Sequence, residues 1–170
     1  MTEWTIRHAE ERDLPSLVDI YNHYVEHSHV TFDLELLSVE DRRPWFDTFA
    51  DTGRYRLLVA VSGSDEDVVG YASSAQFRTK AAYHPSVESS VYLSPRAHRH
   101  GVGTRLYEAL LEILRAEPDV HRVYGGIALP NDASVALHEG CGFDHVGTFR
   151  EVGYKFGRYW DVAWYERDVA

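Results

Sequence analysis

The 170-residue chain is 44% hydrophobic and carries a formal net charge of −10, which fits one folded domain with a sizeable core. The acidic balance disfavours nucleic acid as a partner, and a single cysteine excludes an intramolecular disulfide framework. The sequence lacks an apolar run of roughly 18 residues, and its charged amino end lacks the apolar region of a signal peptide. We therefore expect a single domain over residues 1–170, located in the cytoplasm, with neither a membrane nor a nucleic acid as its partner.

In chain order, the first half predicts a short strand, two helices and then three strands. The first helix has Asp13 as its N-cap and Pro15 in its first turn. Ser38 and Asp41 form a capping box that starts a second, weaker helix. A polar loop, "GSDED", joins the second and third strands as a hairpin. The predicted elements are strands at 5–9, 55–62, 67–77 and 87–94, and helices at 11–27 and 38–50.

The second half alternates helices and strands. Helices are predicted at 101–117 and 131–142, and strands at 120–129 and 159–169. The strand–helix–strand run implies a parallel crossover, whereas the hairpins are antiparallel. The predicted fold class is therefore α/β (α+β), with one mixed, mostly antiparallel sheet of about seven strands flanked by about four helices.

A basic, glycine-containing segment precedes the helix at 101–117. Gly101 and Gly103 bring bare backbone to the helix start, where unpaired N–H groups and the helix dipole favour an anion. Arg99, His98 and His100 add positive charge. For a lone G-x-G, a glycine loop with a solvated basic edge is the more ordinary explanation, and neither a P-loop nor a complete G-x-G-x-x-G is present. The segment suggests pyrophosphate binding without specifying the cofactor.

The order of the elements resembles the GNAT superfamily of N-acetyltransferases. The strand ending in "VYLSP", the glycine loop, the leucine-rich helix and the following strand carry the resemblance, together with Asn131, Gly142 and Phe143. The family's usual Gln or Arg three residues before the first glycine is His98 here. The resemblance implies acetyl-CoA as the acetyl donor, with the pyrophosphate at the glycine loop and the pantetheine arm along the strand. The implied acetyl-CoA contacts are Val91, Tyr92, Leu93, Arg99, His100, Gly101, Val102, Gly103, Thr104 and Asn131.

Four further blocks are similar to the phosphinothricin acetyltransferase subgroup of this superfamily. They are "IYNHYVEHSHVTF", "AAYHPSVESSVYLSPR", "LPNDASVALHEGCGF" and "GYKFGRYWDV", in the same order and spacing. The resemblance implies N-acetylation of the α-amine of a small amino-acid analogue, such as phosphinothricin, methionine sulfoximine or methionine sulfone. It also implies a homodimer, for which the aromatic closing segment "YWDVAWY" is a candidate contact.

Glu88 is the candidate general base. The reaction needs a group that removes a proton from the α-ammonium before its nitrogen attacks the thioester carbonyl. A central strand is normally apolar, yet the strand at 87–94 places Glu88, Ser90 and Tyr92 on one face. A lone strand-end glutamate in solvent is the ordinary alternative. The match to the subgroup motif favours the catalytic role.

His138 is the second catalytic candidate. It shares one stripe of its helix with Ser134, Leu137 and Cys141. The subgroup has histidine where many relatives have a tyrosine that protonates the departing thiolate. Three roles stay open for His138: protonating the thiolate, orienting the amine, or sharing deprotonation with Glu88. A hydrogen-bonded surface histidine is the structural alternative. Cys141 would permit an acyl-cysteine intermediate, but we expect direct transfer and a buried cysteine.

An acidic substrate tail requires cations near the acceptor. Arg78 and Lys80 lie between two strands, and Lys155 lies in the last block of the subgroup resemblance. Phe32 and Tyr83 are the candidate walls of the pocket. Each basic residue taken singly is explained as a surface charge, so the assignment depends on their clustering in the motif blocks. The subgroup has Lys and Arg in the reverse order at the first pair, which changes forked recognition into point-charge recognition.

Two other functions compete with this interpretation. "HYVEH", His23 to His27, matches the H-x-x-E-H motif of a zinc peptidase. Both histidines fall opposite the apolar stripe of their helix, so we expect them to face solvent and we expect no metal site. A non-catalytic acetyl-CoA-binding regulator, or an acetyltransferase acting on proteins, would keep the glycine loop and Asn131. Such a protein would not need Glu88, His138 or the basic residues.

Overall fold

The computed structural model describes residues 4–63, 67–97 and 101–170. The predicted acetyl-CoA contacts Arg99 and His100 therefore lie outside the described residues. The elements are β1 (Trp4–His8), α1 (Leu14–His27), α2 (Val39–Phe46), β2 (Leu57–Ser62), β3 (Asp67–Gln76), β4 (Ser86–Leu93), α3 (Val102–Ala116), β5 (Arg122–Ala128), α4 (Asp132–Gly140), β6 (Asp144–Lys155) and β7 (Arg158–Asp168). Across the described residues, no helix is both long enough and apolar enough to cross a membrane.

The strands form one mixed sheet in the order β1-β2-β3-β4-β5-β7-β6. β4 and β5 are parallel, and the other neighbouring strands are antiparallel. The predicted fold class, a mostly antiparallel mixed sheet with four helices, is confirmed.

The parallel pair separates soon after it begins. β4 pairs with β5 from Ser86 to Glu88. β4 continues to pair with β3 as far as Leu93, and β5 continues to pair with β7 as far as Ala128. The two halves of the sheet therefore diverge after Glu88, because each half remains paired on its outer side only.

Helices cover both faces of the sheet. α3 contributes Leu106, Leu110 and Leu114 to the larger core, as its apolar periodicity predicts. α1 contributes Leu17 and Ile20 to a second core on the opposite face. Alternate residues of the buried strands supply the two cores, so each face of the sheet has its own layer.

Two helix starts test the predicted caps. The capping box of α2 is confirmed, since the Asp41 N–H donates to Ser38 Oγ at 3.1 Å and the Ser38 N–H donates to Asp41 Oδ2 at 2.9 Å. Asp13 is the N-cap of α1, as predicted, but its side chain does not accept a hydrogen bond from the first turn. Asp13 precedes the helix, but its carboxylate accepts from the Arg7 guanidinium at 2.7 and 2.9 Å and from the Glu10 N–H at 2.7 Å. It therefore ties β1 to the start of α1.

The sequence did not locate β6. This strand forms the edge of the sheet and pairs with β7 alone among the described strands. Its register shifts twice, around Val146 and between Phe149 and Gly153, where Glu151 has a φ of 53°. Most of its residues are exposed on both faces. Period-two alternation of polar and apolar residues is consequently missing, and the pattern that identifies a half-buried strand is absent.

Candidate active site

A cleft opens where β4 and β5 diverge. Its volume is about 650 Å³, and α4 closes one end of it. Its lining includes five of the predicted site residues, Val91, Tyr92, Leu93, Asn131 and His138. The cleft also takes in Tyr24, Val30, Ser89 and Ser90, which the sequence analysis did not assign to the site.

The β4 edge of the cleft suits an extended, amide-bearing ligand. In the described part of the chain, β4 has no ladder partner on its β5 side beyond Glu88, so the main chain from Ser89 onwards faces the cleft. An extended ligand can add to such an edge as a strand adds to a sheet. The pantetheine arm of CoA has amide groups and an extended shape that fit this edge.

The start of α3 suits an anion. Gly101 is the N-cap with a φ of 73°, a left-handed conformation that glycine adopts without strain. The first-turn N–H groups of Val102, Gly103 and Thr104 begin a 15-residue helix. A Cβ on Gly103 would lie 3.4 Å from Leu93 Cδ1, so the helix start packs closely against the end of β4. The anion site at the start of α3 and the free edge of β4 are therefore adjacent, so one ligand can place its phosphate end at the first and its extended arm along the second.

Asn131 is the N-cap of α4. Its Oδ1 accepts the Ser134 N–H at 3.1 Å, and the residue borders the cleft. The side chain thus fixes where α4 begins, and α4 in turn carries His138.

His138 is buried, at 6% exposure, and both ring nitrogens have partners. Nδ1 lies 2.7 Å from the Ser134 carbonyl oxygen, to which it donates when it carries the proton. Nε2 lies 3.1 Å from Tyr107 Oη, and Tyr107 Oη lies 2.5 Å from Ser89 Oγ. Burial lowers the pKa of His138, which favours the neutral ring. The neutral tautomer with the proton on Nδ1 leaves Nε2 as a hydrogen-bond acceptor.

Gly125 makes room for the His138 ring. A Cβ at this position in β5 would lie 2.6 Å from His138 Nε2 and 3.0 Å from Cδ2. The absence of a side chain at Gly125 is therefore a condition for the position of the ring between β5, α3 and α4.

Glu88 lies at the last paired position of β4, opposite Tyr124. Burial raises the pKa of its carboxyl group, and the nearby positive charge of Arg78 partly lowers it. The Arg78 guanidinium lies 4.3 Å from the Phe77 ring centroid and 5.7 Å from that of Trp164. Arg78 is thus the one predicted substrate-binding cation that acts electrostatically on Glu88.

Glu88 and His138 lie on opposite faces of the sheet. Tyr92, which shares a face with Glu88, contacts the rings of Tyr21 and Tyr24 in α1. Ser89 points to the other face, where it contacts Tyr107 of α3. The cleft between the diverging strands connects the two faces.

Lys155 does not line this cleft, and neither do Glu88 and Arg78, so the contact of Lys155 with a substrate stays a prediction. Its ammonium donates to main-chain carbonyl oxygens of Ser28 at 2.7 Å and Thr31 at 2.9 Å. Phe32 does not line the cleft either, because it packs over Gly153 of β6. The assignment of Phe32 to the substrate pocket likewise stays a prediction.

Lys80 and Tyr83 are exposed in the segment between β3 and β4. The Tyr83 ring lies 5.9 Å from the Phe77 ring, and neither residue lines the cleft. Their contact with a substrate stays a prediction.

Neither the zinc site suggested by His23 and His27 nor the acyl-cysteine route through Cys141 is supported by the contacts of the described residues. The rings of His23 and His27 lie 5.1 Å apart, but no group of three or more metal-ligating side chains exists among the described residues. Cys141 is buried, as expected, and burial raises the pKa of its thiol. A buried, protonated thiol is a poor nucleophile.

Tyr107, Ser89 and Tyr24 were not among the site residues predicted from the sequence. Tyr107 was part of the apolar stripe of α3, and the stripe predicted its burial but not its hydroxyl partners. The Tyr24 hydroxyl donates to the Leu93 carbonyl at 2.5 Å and so joins α1 to the end of β4. Hydroxyl groups on predicted core faces are a usable signal for such contacts, since buried hydroxyls need partners.

Comparison with known proteins agrees with the fold and the cleft. Residues 6–164 match the acetyltransferase (GNAT) domain family. A phosphinothricin N-acetyltransferase of Streptomyces coelicolor is 52% identical over 167 residues, covering 98% of this chain and 97% of the relative. An L-methionine sulfoximine/L-methionine sulfone acetyltransferase of Pseudomonas aeruginosa is 36% identical over 165 residues, covering 97% of this chain and 94% of the relative.

A solved structure gives the same result. The crystal structure of a GNAT superfamily phosphinothricin acetyltransferase from Sinorhizobium meliloti in complex with AcCoA has a TM-score of 0.91 and 32% identity, and covers 97% of this chain and 88% of that chain. The sheet opened at its centre and the cleft beside a helix N-terminus are those of a CoA-dependent acyltransferase. The chain belongs to the GNAT acetyltransferase family. The prediction of an acetyl-CoA-dependent N-acetyltransferase is thereby confirmed at the level of the family.

Proposed function

We propose that this acetyltransferase transfers an acetyl group directly from acetyl-CoA to the α-amine of a small amino-acid analogue of the phosphinothricin, methionine sulfoximine or methionine sulfone type. The observation that carries the proposal is the position of Glu88, a partly buried carboxyl group where the two halves of the sheet diverge. The named activities of the relatives from Streptomyces coelicolor and Pseudomonas aeruginosa support the acceptor class.

In this mechanism Glu88 takes the first proton. The acceptor approaches on the α1 side of the sheet, and the Glu88 carboxylate removes a proton from its α-ammonium group. Acetyl-CoA supplies the thioester carbonyl carbon, to which the acceptor nitrogen bonds as the carbon–sulfur bond breaks. Arg78 favours the ionised carboxylate, because its charge opposes part of the rise in the Glu88 pKa caused by burial.

His138 serves the opposite face. Its Nε2 takes the second proton from the acceptor nitrogen and passes it to the departing sulfur. For this step the Tyr107 hydroxyl turns from Nε2 to Ser89 Oγ, 2.5 Å away, and Ser89 donates to the Tyr124 carbonyl oxygen at 3.2 Å. The two hydroxyls thereby keep a hydrogen-bond partner in both arrangements, so the change of partner costs little free energy.

The test is release of the free CoA thiol with phosphinothricin, methionine sulfoximine, methionine sulfone and the standard amino acids as separate acceptors. Glu88→Gln is expected to lower kcat by about 100-fold or more, since general base catalysis contributes on that scale. His138→Ala is expected to lower it by a factor of the same order. Glu112→Gln, an exposed change on α3, is the matched control and should turn over as the parent does.

The alternatives predict different results. A non-catalytic regulator would bind acetyl-CoA by calorimetry and release no thiol with any acceptor. A protein acetyltransferase would acetylate a protein amine and consume none of the free amino acids. Turnover that survives Glu88→Gln unchanged would remove Glu88 from the mechanism.

We also infer a homodimer that forms through β6. This edge strand exposes apolar side chains that are each more than half accessible: Val146, Phe149, Val152 and Tyr154. Unpaired strand edges of this kind tend to associate. Val152→Arg is expected to shift the sedimentation coefficient from dimer to monomer, and an unchanged dimer would contradict the inference. The cytoplasmic location stays a prediction, supported by the unpaired Cys141.

A further inference from the structure

The ammonium of Lys155 lies among main-chain carbonyl groups at the end of α1. Lys155 is 3% exposed, and its Nζ donates to the carbonyl oxygens of Ser28 at 2.7 Å, Thr31 at 2.9 Å and Tyr24 at 3.4 Å. These carbonyls carry the negative end of the helix dipole and the turn that follows it. A buried charge with three such acceptors is held in one place, because leaving the site would cost several charge-assisted hydrogen bonds.

The same turn has two further attachments. The His29 ring stacks on the Trp160 ring of β7, with 4.1 Å between centroids and 9° between planes, and its Nε2 lies 2.9 Å from the Pro130 carbonyl oxygen. Phe32 lies so close over β6 that a Cβ on Gly153 would collide with its ring. Residues 28–32 are therefore held against the β6–β7 hairpin by the contacts of Ser28, His29, Thr31 and Phe32.

This turn forms one wall of the cleft. Val30 lies within it and lines the cleft, and Tyr24, one helical turn earlier, does so as well. The Tyr24 hydroxyl donates to the Leu93 carbonyl, so a shift of the turn would also displace the end of β4. α1 packs on the face of the sheet that carries Tyr92 and Glu88.

We propose that Lys155 is a positioning residue: its buried ammonium holds residues 28–32 against the β6–β7 hairpin and thereby sets the wall of the cleft on the Glu88 side. The assignment of that side to the acceptor rests on the function proposed above. Lys155 acts on acceptor binding through the main chain of α1 and the following turn, without touching the acceptor.

The test compares Lys155→Met, Lys155→Arg and the control Arg115→Met, which removes an exposed cation from α3. Steady-state kinetics give kcat and separate KM values for acceptor and acetyl-CoA, and amide hydrogen exchange follows residues 28–32 without ligands. Lys155→Met should raise the acceptor KM by about tenfold and accelerate exchange in the turn, since hydrogen bonds from a charged group are lost. The KM for acetyl-CoA should change much less. Lys155→Arg should recover part of both effects, and Arg115→Met should change neither.

His29→Ala, which leaves the ammonium in place, is a second variant in case Lys155→Met does not fold, and it should give the same changes in smaller measure. A raised acceptor KM with unchanged exchange in residues 28–32 would overturn the proposal in favour of direct contact between Lys155 and the acceptor. Equal rises in both KM values would overturn it in favour of a general structural role. If no acceptor is turned over at all, the function proposed above fails, while the exchange measurement still decides whether Lys155 holds the turn.

Discussion

Gly125 offers the sharpest test of the geometry around His138. Replacing it with alanine adds one methyl group, which would lie 2.6 Å from His138 Nε2 and 3.5 Å from Tyr107 Oη. Gly125, His138 and Tyr107 are all buried, so the added methyl group would meet the ring directly. The ring must therefore move away from β5 and lose the Tyr107 hydroxyl.

The expected cost follows from these contacts. Overpacking a filled core by one methyl group costs about 1–3 kcal/mol. Loss of a buried hydrogen bond adds about 1 kcal/mol. The sum of about 2–4 kcal/mol corresponds to a fall in Tm of roughly 4–16 °C for a chain of this length. Because His138 is displaced, kcat for acetyl transfer should also fall.

Gly140→Ala is the matched control. It lies at the end of α4, the helix that carries His138, and a Cβ there would meet no atom within 4 Å. Thermal unfolding by circular dichroism and thiol release from acetyl-CoA should place this variant at or slightly above the parent in Tm and level with it in kcat. If Gly125→Ala matches Gly140→Ala in both measurements, the packing argument at His138 is refuted.

Three further predictions concern the two catalytic candidates and the cysteine. Tyr107→Phe removes the hydroxyl that serves His138 and should lower kcat by about tenfold with little change in the KM for acetyl-CoA, whereas an unchanged kcat would eliminate the hydroxyl switch. Arg78→Gln removes the charge that lowers the Glu88 pKa, so the acid limb of kcat/KM should move to higher pH, and a limb that stays or moves down would contradict the pairing. Cys141→Ala should keep its kcat, since the proposed transfer is direct, and an acetylated cysteine trapped by mass spectrometry would show otherwise.

The periodicity of apolar residues was sufficient to predict the parts of the fold that have one buried face. The stripe of α3 and the box formed by Ser38 and Asp41 depend on residues a few positions apart, and both appear as predicted. His138 is placed similarly, because its partner Ser134 lies one helical turn away. Most residues of edge strand β6 are exposed on both faces, so no sustained periodic signal could reveal it.

Contacts between distant segments could not be predicted in this way. Lys155 is predicted to be a substrate cation because it is one of two lysines and lies in a motif block, and that role stays a prediction. Its hydrogen bonds in the structure go to carbonyl groups more than 120 residues earlier in the chain, and these carbonyls carry no side-chain signature. The role of Tyr107 was hidden for the same reason, since Ser89 and His138 reach it only once the sheet has formed.

In the proposed mechanism, the opened parallel pair allows a base on one face of the sheet and a proton carrier on the other to serve one reaction. In a closed sheet, the alternation of side chains would keep Glu88 and His138 apart with the backbone between them. Here the pairing of β4 with β5 ends at Glu88, so beyond this residue no paired backbone separates the two faces. In the proposed reaction the acceptor nitrogen bonds the thioester carbonyl carbon as the carbon–sulfur bond breaks, and the gap lets the acceptor and acetyl-CoA approach each other from different faces of the sheet. A variant that lengthened the β4–β5 pairing would therefore abolish transfer even with Glu88 and His138 both intact.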